Sequence, residues 1–204
     1  MKEKIILKST HPESYPDLEL ECRVLQNDEI GAYLATIPEE RKFYATKHAK
    51  VSARPGCEGE QIKTVLKTTV DGKEYVLTEE EAVVKARDYE EADGVITKKT
   101  DVVVTNTSST SNEQYIVKFD KFLKTYDMAE TPGDYYPNPE WRLLSQVDEN
   151  VIIVTAWGAK AVCLSGGYIV TYNADENDYN TLEKGAFDST YKKEEVKVKV
   201  KNND

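Results

Sequence analysis

Cys57 and His48 are the residues of this 204-residue chain whose types best suit nucleophilic chemistry. A thiol needs a base beside it to act as a nucleophile, and Cys57 sits in the turn Pro55-Gly56-Cys57-Glu58-Gly59 with His48 nine residues upstream. The adjacent Glu58 would raise a thiol pKa instead of lowering it, so an inert turn cysteine is the expectation. Metal ligation needs clustered His, Cys or carboxylates. The nearest approach is "DENDYN" at 175–180, which places Asp175, Asn177 and Tyr179 at alternate positions. It lacks the glycine at the sixth place and the glutamate at the twelfth that a calcium loop uses, and reads as a solvated turn. "LSGGY" at 164–168 is neither a nucleophile elbow nor a phosphate loop, and its glycines suit a tight turn before a strand. No catalytic residue, metal or cofactor is therefore expected.

Recognition chemistry is better supplied. The chain has 13 tyrosines against 4 phenylalanines. Tyr135, Tyr136 and Trp141, with Tyr168 and Tyr172, are the candidates for an aromatic contact surface, since such rings combine buried area with a polar handle. Tyr126 and Tyr191 read instead as core. The acidic clusters "TEEEA", "RDYEEAD" and "NADEND" offer a different surface, in which Glu79, Glu80, Glu90 and Glu91 imitate phosphates towards a basic cleft.

The net charge of −10 disfavours direct binding to nucleic acid or to an anionic membrane. Each half, cut after Asp127, carries −5, so the acidity is spread along the chain. The longest apolar run, "VIIVTAW" at 151–157, is too short for a bilayer-spanning helix, and the N-terminus lacks the apolar region of a secretory signal. Three widely spaced cysteines argue against a disulfide framework. The cytoplasm of a bacterial host is the expected location.

Several elements must position these residues. "LELECRVL" at 18–25 alternates like a half-wet strand and is expected to pair with "AYLATI" at 32–37. Asp71-Gly72 predicts a hairpin over 61–77. Thr78 with Glu81 predicts a helix over 78–92. "VIIVTAW" and "KAVCL" flank Gly158 as buried strands, and "EEVKVKVK" at 194–201 reads as a lysine-protected edge strand. The proline-rich "AETPGDYYPNPEW" at 129–141 is the linker candidate, dividing a domain at 1–128 from one at 129–204.

One module recurs across that division. Val104-Thr105 aligns with Val170-Thr171, Tyr115 with Tyr179, Phe122 with Phe187, and Thr125-Tyr126 with Thr190-Tyr191. Each copy reads as a β-branched strand, a polar turn, a second strand, and a short helix whose Phe and Tyr share a face four residues apart. The expected fold is α+β and mostly β: two related small units, each of antiparallel strands with a short C-terminal helix.

The stretch "SARPGCEGEQIKT", followed by "DGKEYV", "DVVVTN" and "EQYIVKFDKFLKTYD", resembles a family of uncharacterised proteins of bacteriophages, prophages and gut bacteria. Their pattern is a "PGDWIVTN" strand, a "GEQYIV" strand and a terminal "F…YE" helix. The similarity spans residues 52–127 and, more loosely, 165–192; Lys99-Thr100-Asp101 replaces the family's Pro-Gly-Asp turn, and Val103 its tryptophan. It implies a fold unit and a phage-type setting, and carries over no catalytic position. The resulting expectation is a non-enzymatic phage- or prophage-type protein that binds a host or phage protein. Its rival is an acidic anti-defence inhibitor, of anti-CRISPR or anti-restriction type, occupying a nuclease's nucleic-acid site.

Overall fold

The computed structural model describes residues 2–108, 113–156, 158, 160–173 and 177–194, with backbone alone at 79, 80 and 173. β1 (Lys2–Leu7) and β2 (Leu18–Leu25) form an antiparallel pair, and β2 turns Leu18, Leu20, Cys22 and Val24 inward as its alternation requires. The hairpin expected between 18–25 and 32–37 does not form. Asn27–Thr36 is instead a helix, α1, because Glu29 accepts from the Gln26 N–H at 2.8 Å to close its first turn. Ile30, Tyr33, Leu34 and Ile37 then share one buried helical face.

A short 3-10 turn leads into β3 (Lys42–Lys47) and β4 (Val51–Pro55), in the stretch whose sequence shows no clear period. β5 (Gln61–Val70) and β6 (Lys73–Val83) form the expected hairpin, with Asp71 and Gly72 both at positive φ (51° and 76°). The helix expected over 78–92 is absent. β6 keeps pairing to Val83, and β7 (Ala86–Glu90) then forms a hairpin with β8 (Ile96–Thr100). Tertiary pairing overrides the local cap signal here: a helix from Thr78 would leave half of β5 unpaired, and would remove Val84 from its cluster with Ile62 and Val103.

β9 (Val102–Thr105), β10 (Gln114–Val117), α2 (Phe119–Thr125) and β11 (Tyr126–Met128) follow in order. Asp134–Pro137, within the expected linker, is a strand, β12, leading to β13 (Arg142–Gln146). β14 (Val151–Val154) and β15 (Lys160–Cys163) are the two strands expected around Gly158; β14 is buried, whereas β15, at the sheet edge, buries Cys163 and leaves Lys160 exposed. β16 (Tyr168–Asn173), β17 (Asp178–Leu182), α3 (Lys184–Thr190) and β18 (Tyr191–Lys193) end the described chain; the expected edge strand at 194–201 lies almost wholly outside it. The fold is mostly β with three short helices among the described residues.

Two five-stranded antiparallel sheets dominate, in the orders β10-β9-β4-β12-β11 and β17-β16-β13-β3-β18. A four-stranded sheet, β1-β2-β14-β15, and two hairpins complete the set. These sheets cross the division expected at residue 128. β3 hydrogen-bonds β13 and β18, β12 hydrogen-bonds β4 and β11, and β14 lies parallel to β2.

Each large sheet is covered on one face by its short helix. Phe122 of α2 packs with Val51, Val102 and Val104, and Phe187 of α3 packs with Ala45, Leu144, Tyr168 and Val170. On the opposite faces, Val103 meets Ile62 of β5 and Val84 just past β6, while Ile169 meets α1, Val147 and Val151.

Candidate functional site

Strand alternation decides what the face of the β17-β16-β13-β3-β18 sheet away from α3 presents. Phe43 and Ala45 of β3 turn to the α3 side, so Tyr44 turns the other way, opposite Leu143 of β13. The ring of Trp141, just ahead of β13, lies 5.9 Å from that of Tyr44 at an interplanar angle of 43°. These rings stay wet, Trp141 at 53% and Tyr44 at 40% exposure. Beside them runs an open groove of about 430 Å³ lined by Glu39, Lys42, Phe43, Tyr44, Leu143 and Glu194. The groove's charges are ordered. The Glu39 side chain is 88% exposed, whereas its ion-pair partner Lys42 is only 15% exposed. Glu194, a second lining carboxylate, accepts from the Thr46 hydroxyl at 2.6 Å. The base of the Glu39–Lys42 pair lies low and its acid stands at the rim. Ser145 and Thr171, on β13 and β16, bury hydroxyls that have no hydrogen-bond partner among the described residues.

The five aromatic residues expected to form one surface are dispersed. Tyr168 is buried in the core beside Phe43 and Phe187. Tyr135 packs edge-on against Phe122 at 4.9 Å. Tyr136, 51% exposed, belongs to the other large sheet. Tyr172, 37% exposed, holds the Arg142 guanidinium over its ring at 4.6 Å. Of the five, Trp141 forms the exposed aromatic pair, and its partner Tyr44 escaped notice. The signal was the alternation of "KFYATK", in which Tyr44 falls out of phase with Phe43 and Ala45.

The acidic candidates are also separated from one another in character. Glu91 bonds Lys99 and Thr97, each at 3.0 Å, and the Lys99 contact lowers its pKa. Glu90 is exposed on β7, and the side chains of Glu79 and Glu80 lie outside the described set. His48 and Cys57 flank the whole of β4, whose five residues span about 16 Å at roughly 3.3 Å each, beyond hydrogen-bond reach. Among the described residues no group of three His, Cys, Asp or Glu stands placed to hold a metal, and Asp175 lies outside them.

A second polar cluster joins the two large sheets. Lys47, at the end of β3, donates to the Tyr115 hydroxyl at 2.8 Å, which lies 2.9 Å from the Tyr126 hydroxyl. Burial raises the pKa of Tyr115 and Tyr126, and of Tyr191 beside them. Neutral hydroxyls, the Lys47 ammonium and the Glu113 carboxyl, whose pKa burial raises, therefore meet at this seam, a joint and not an exposed site.

Comparison of the chain with protein-family models, curated proteins and solved structures finds no match.

Proposed function

We propose that this chain is a non-enzymatic protein-binding protein of phage or prophage type, built from two related units that have exchanged one strand. The unit is the series β3, β4, β9, β10, α2, β11, repeated as β12, β13, β16, β17, α3, β18. Each large sheet holds four strands of one series and the first strand of the other. Hydrogen bonds outside the ladders support the equivalence. Asn138 N–H bonds Thr125 O as His48 N–H bonds Thr190 O, at 2.8 and 2.9 Å. Ala129 N–H bonds Asp134 O as Glu194 N–H bonds Tyr44 O, at 2.9 and 2.8 Å. Phe122 stacks on Tyr126 and Phe187 on Tyr191, at interplanar angles of 19° and 21°. One aligned pair needs correction: Val104 faces Tyr115 but Val170 faces Asn180, so the counterpart of Tyr115 is Asn180, one residue beyond Tyr179.

The observation that carries the binding function is the exposed Tyr44–Trp141 pair. By register its counterparts in the other sheet are Asp134 and Lys50, which form an ion pair at 2.6 Å. The frame therefore tolerates an ordinary polar pair there, and exposed aromatic rings serve something other than folding. The phage-type setting rests on the resemblance of residues 52–127. The acidic-inhibitor reading gains nothing from Glu91, whose charge Lys99 already meets.

The test transplants one sheet's pair into the other, as the double variant Tyr44→Asp with Trp141→Lys. Wild type and variant are compared by chemical cross-linking and affinity capture from host lysate, with circular dichroism as the control for folding. A folded variant that loses about 90% or more of a captured protein is expected, since aromatic anchors dominate interface energies. An unchanged capture profile would overturn the reading.

A further inference from the structure

Resting on that binding reading, we infer that the Tyr44–Trp141 groove takes an extended, proline-rich peptide segment carrying basic residues beside its prolines. Three observations select this occupant.

The first is shape. Two rings 5.9 Å apart and tilted by 43°, one on β3 and one just ahead of β13, make a ridged aromatic wall. Leu143, opposite Tyr44, extends it along the groove. Polyproline segments are bound by aromatic-lined grooves of this kind, because a preformed extended helix presents flat rings and loses little entropy on docking.

The second is charge. Glu39 is held outermost with Lys42 drawn beneath it, and Glu194 adds a second carboxylate to the groove lining. An acidic rim on a chain of net charge −10 attracts lysine or arginine and repels phosphate. A nucleic acid stacking its bases on Trp141 would bring its phosphates to that rim. A second copy of this chain would bring the same rim and the same net charge, so charge disfavours both.

The third is the contrast within the molecule. The counterpart position of the other sheet is closed by the Lys50–Asp134 pair and offers no slot. One unit alone carries the groove, so a single linear segment is the fitting partner, with one site per chain.

The test is titration calorimetry with two synthetic probes, a proline-rich peptide with flanking arginines and the same peptide with glutamates in their place. The expected results are one site per chain for the arginine peptide, about ten-fold or weaker binding of the glutamate peptide, and loss of about ten-fold or more in Tyr44→Asp/Trp141→Lys. Binding of neither peptide, while that variant still loses a partner from lysate, would overturn the peptide assignment and leave the binding surface standing. Sedimentation showing a wild-type dimer that the variant abolishes would overturn it in favour of a second copy. Binding of both peptides unaffected by the variant would overturn the location.

Discussion

Lys50 and Asp134 close a diagonal between neighbouring strands of one large sheet, 2.6 Å apart, while Trp141 and Tyr44 occupy the same diagonal in the other. The backbones around the two diagonals match in register and in hydrogen bonding, so the difference lies wholly in the side chains. More such contrasts lie on the same faces. Arg54 is clamped by Glu60 at a position whose counterpart is Ser145, and Thr105 accepts from the Gln114 amide where Thr171 has no partner. One face has its polar groups paired, and the other carries the aromatic pair and two buried hydroxyls without a hydrogen-bond partner among the described residues. A buried hydroxyl without a partner costs about 1–3 kcal/mol, so the second face is the less optimised for stability alone. That is the pattern expected where a surface has been shaped for contact.

The largest test of this comparison breaks the shared frame. If the sheets depend on an exchanged strand, fragment 1–128 lacks β12 and fragment 129–204 lacks β3, and neither completes its sheet. Both fragments alone are expected to show poorly dispersed amide spectra, and a mixture is expected to recover the dispersion of the intact chain. A folded fragment 1–128 would remove the exchange from the argument.

Next comes the helix that covers each sheet. Phe122→Ala is expected to cost about 3–5 kcal/mol by denaturant unfolding, because the ring is buried against Val51, Val102 and Val104. Phe187→Ala is expected to cost less, since Phe187 is only partly buried. The reverse order would mean that the two helices do not do equivalent work.

The stacking of these phenylalanines with Tyr126 and Tyr191 was legible in the sequence, because a four-residue spacing is local information, although each Tyr opens the strand after the helix instead of ending the helix. So was the Asp71-Gly72 turn, whose geometry two residues decide. The segments 27–36 and 78–92 misled for opposite reasons. Glu29 supplies a cap and Ile30, Tyr33, Leu34 a helical face, yet "AYLATI" beside a strand pattern imitates a hairpin arm. Thr78 and Glu81 spell a cap, yet β5 competes for the same residues and wins. The candidate surface was half legible. Trp141 was among the five aromatic candidates, but Tyr44 acquires meaning only when β3 crosses to pair with β13, a contact spanning some hundred residues that no local pattern encodes.

The seam offers a smaller effect that probes where the two large sheets meet. Tyr115→Phe removes the acceptor of Lys47 and the partner of Tyr126, and is expected to cost about 1 kcal/mol. Burial holds Tyr115, Tyr126 and Tyr191 neutral, with pKa values above the ordinary 10. A raised phenol pKa gives stability that is complete below pH 10 and is lost as pH rises towards the folded-state value, since the unfolded chain ionises first. Thermal unfolding followed from pH 8 to 11 is expected to fall more steeply in wild type than in Tyr115→Phe. Parallel curves would place Tyr115 outside the buried seam.

The smallest effect isolates the polar face. Arg54 hydrogen-bonds the Glu60 carboxylate, the Cys57 N–H adds a second donor, and together they draw its pKa down to about 2 from 4.5. A depressed carboxyl pKa gives stability present above pH 4.5 and lost as pH falls through about 2. Glu60 is solvent-facing, so its contribution is screened, and the informative quantity is the titration itself. Carbon-detected NMR is expected to show Glu60 ionised at pH 3.5 in wild type and titrating well above 2 in Arg54→Met, where the larger of its two donors is gone. The paired face then differs from the aromatic face because its polar groups are already occupied, which is why a ligand has less to gain there. Were Glu60 to titrate near 4.5 with Arg54 present, the clamp would be open, and both outer faces would compete for a partner on more equal terms.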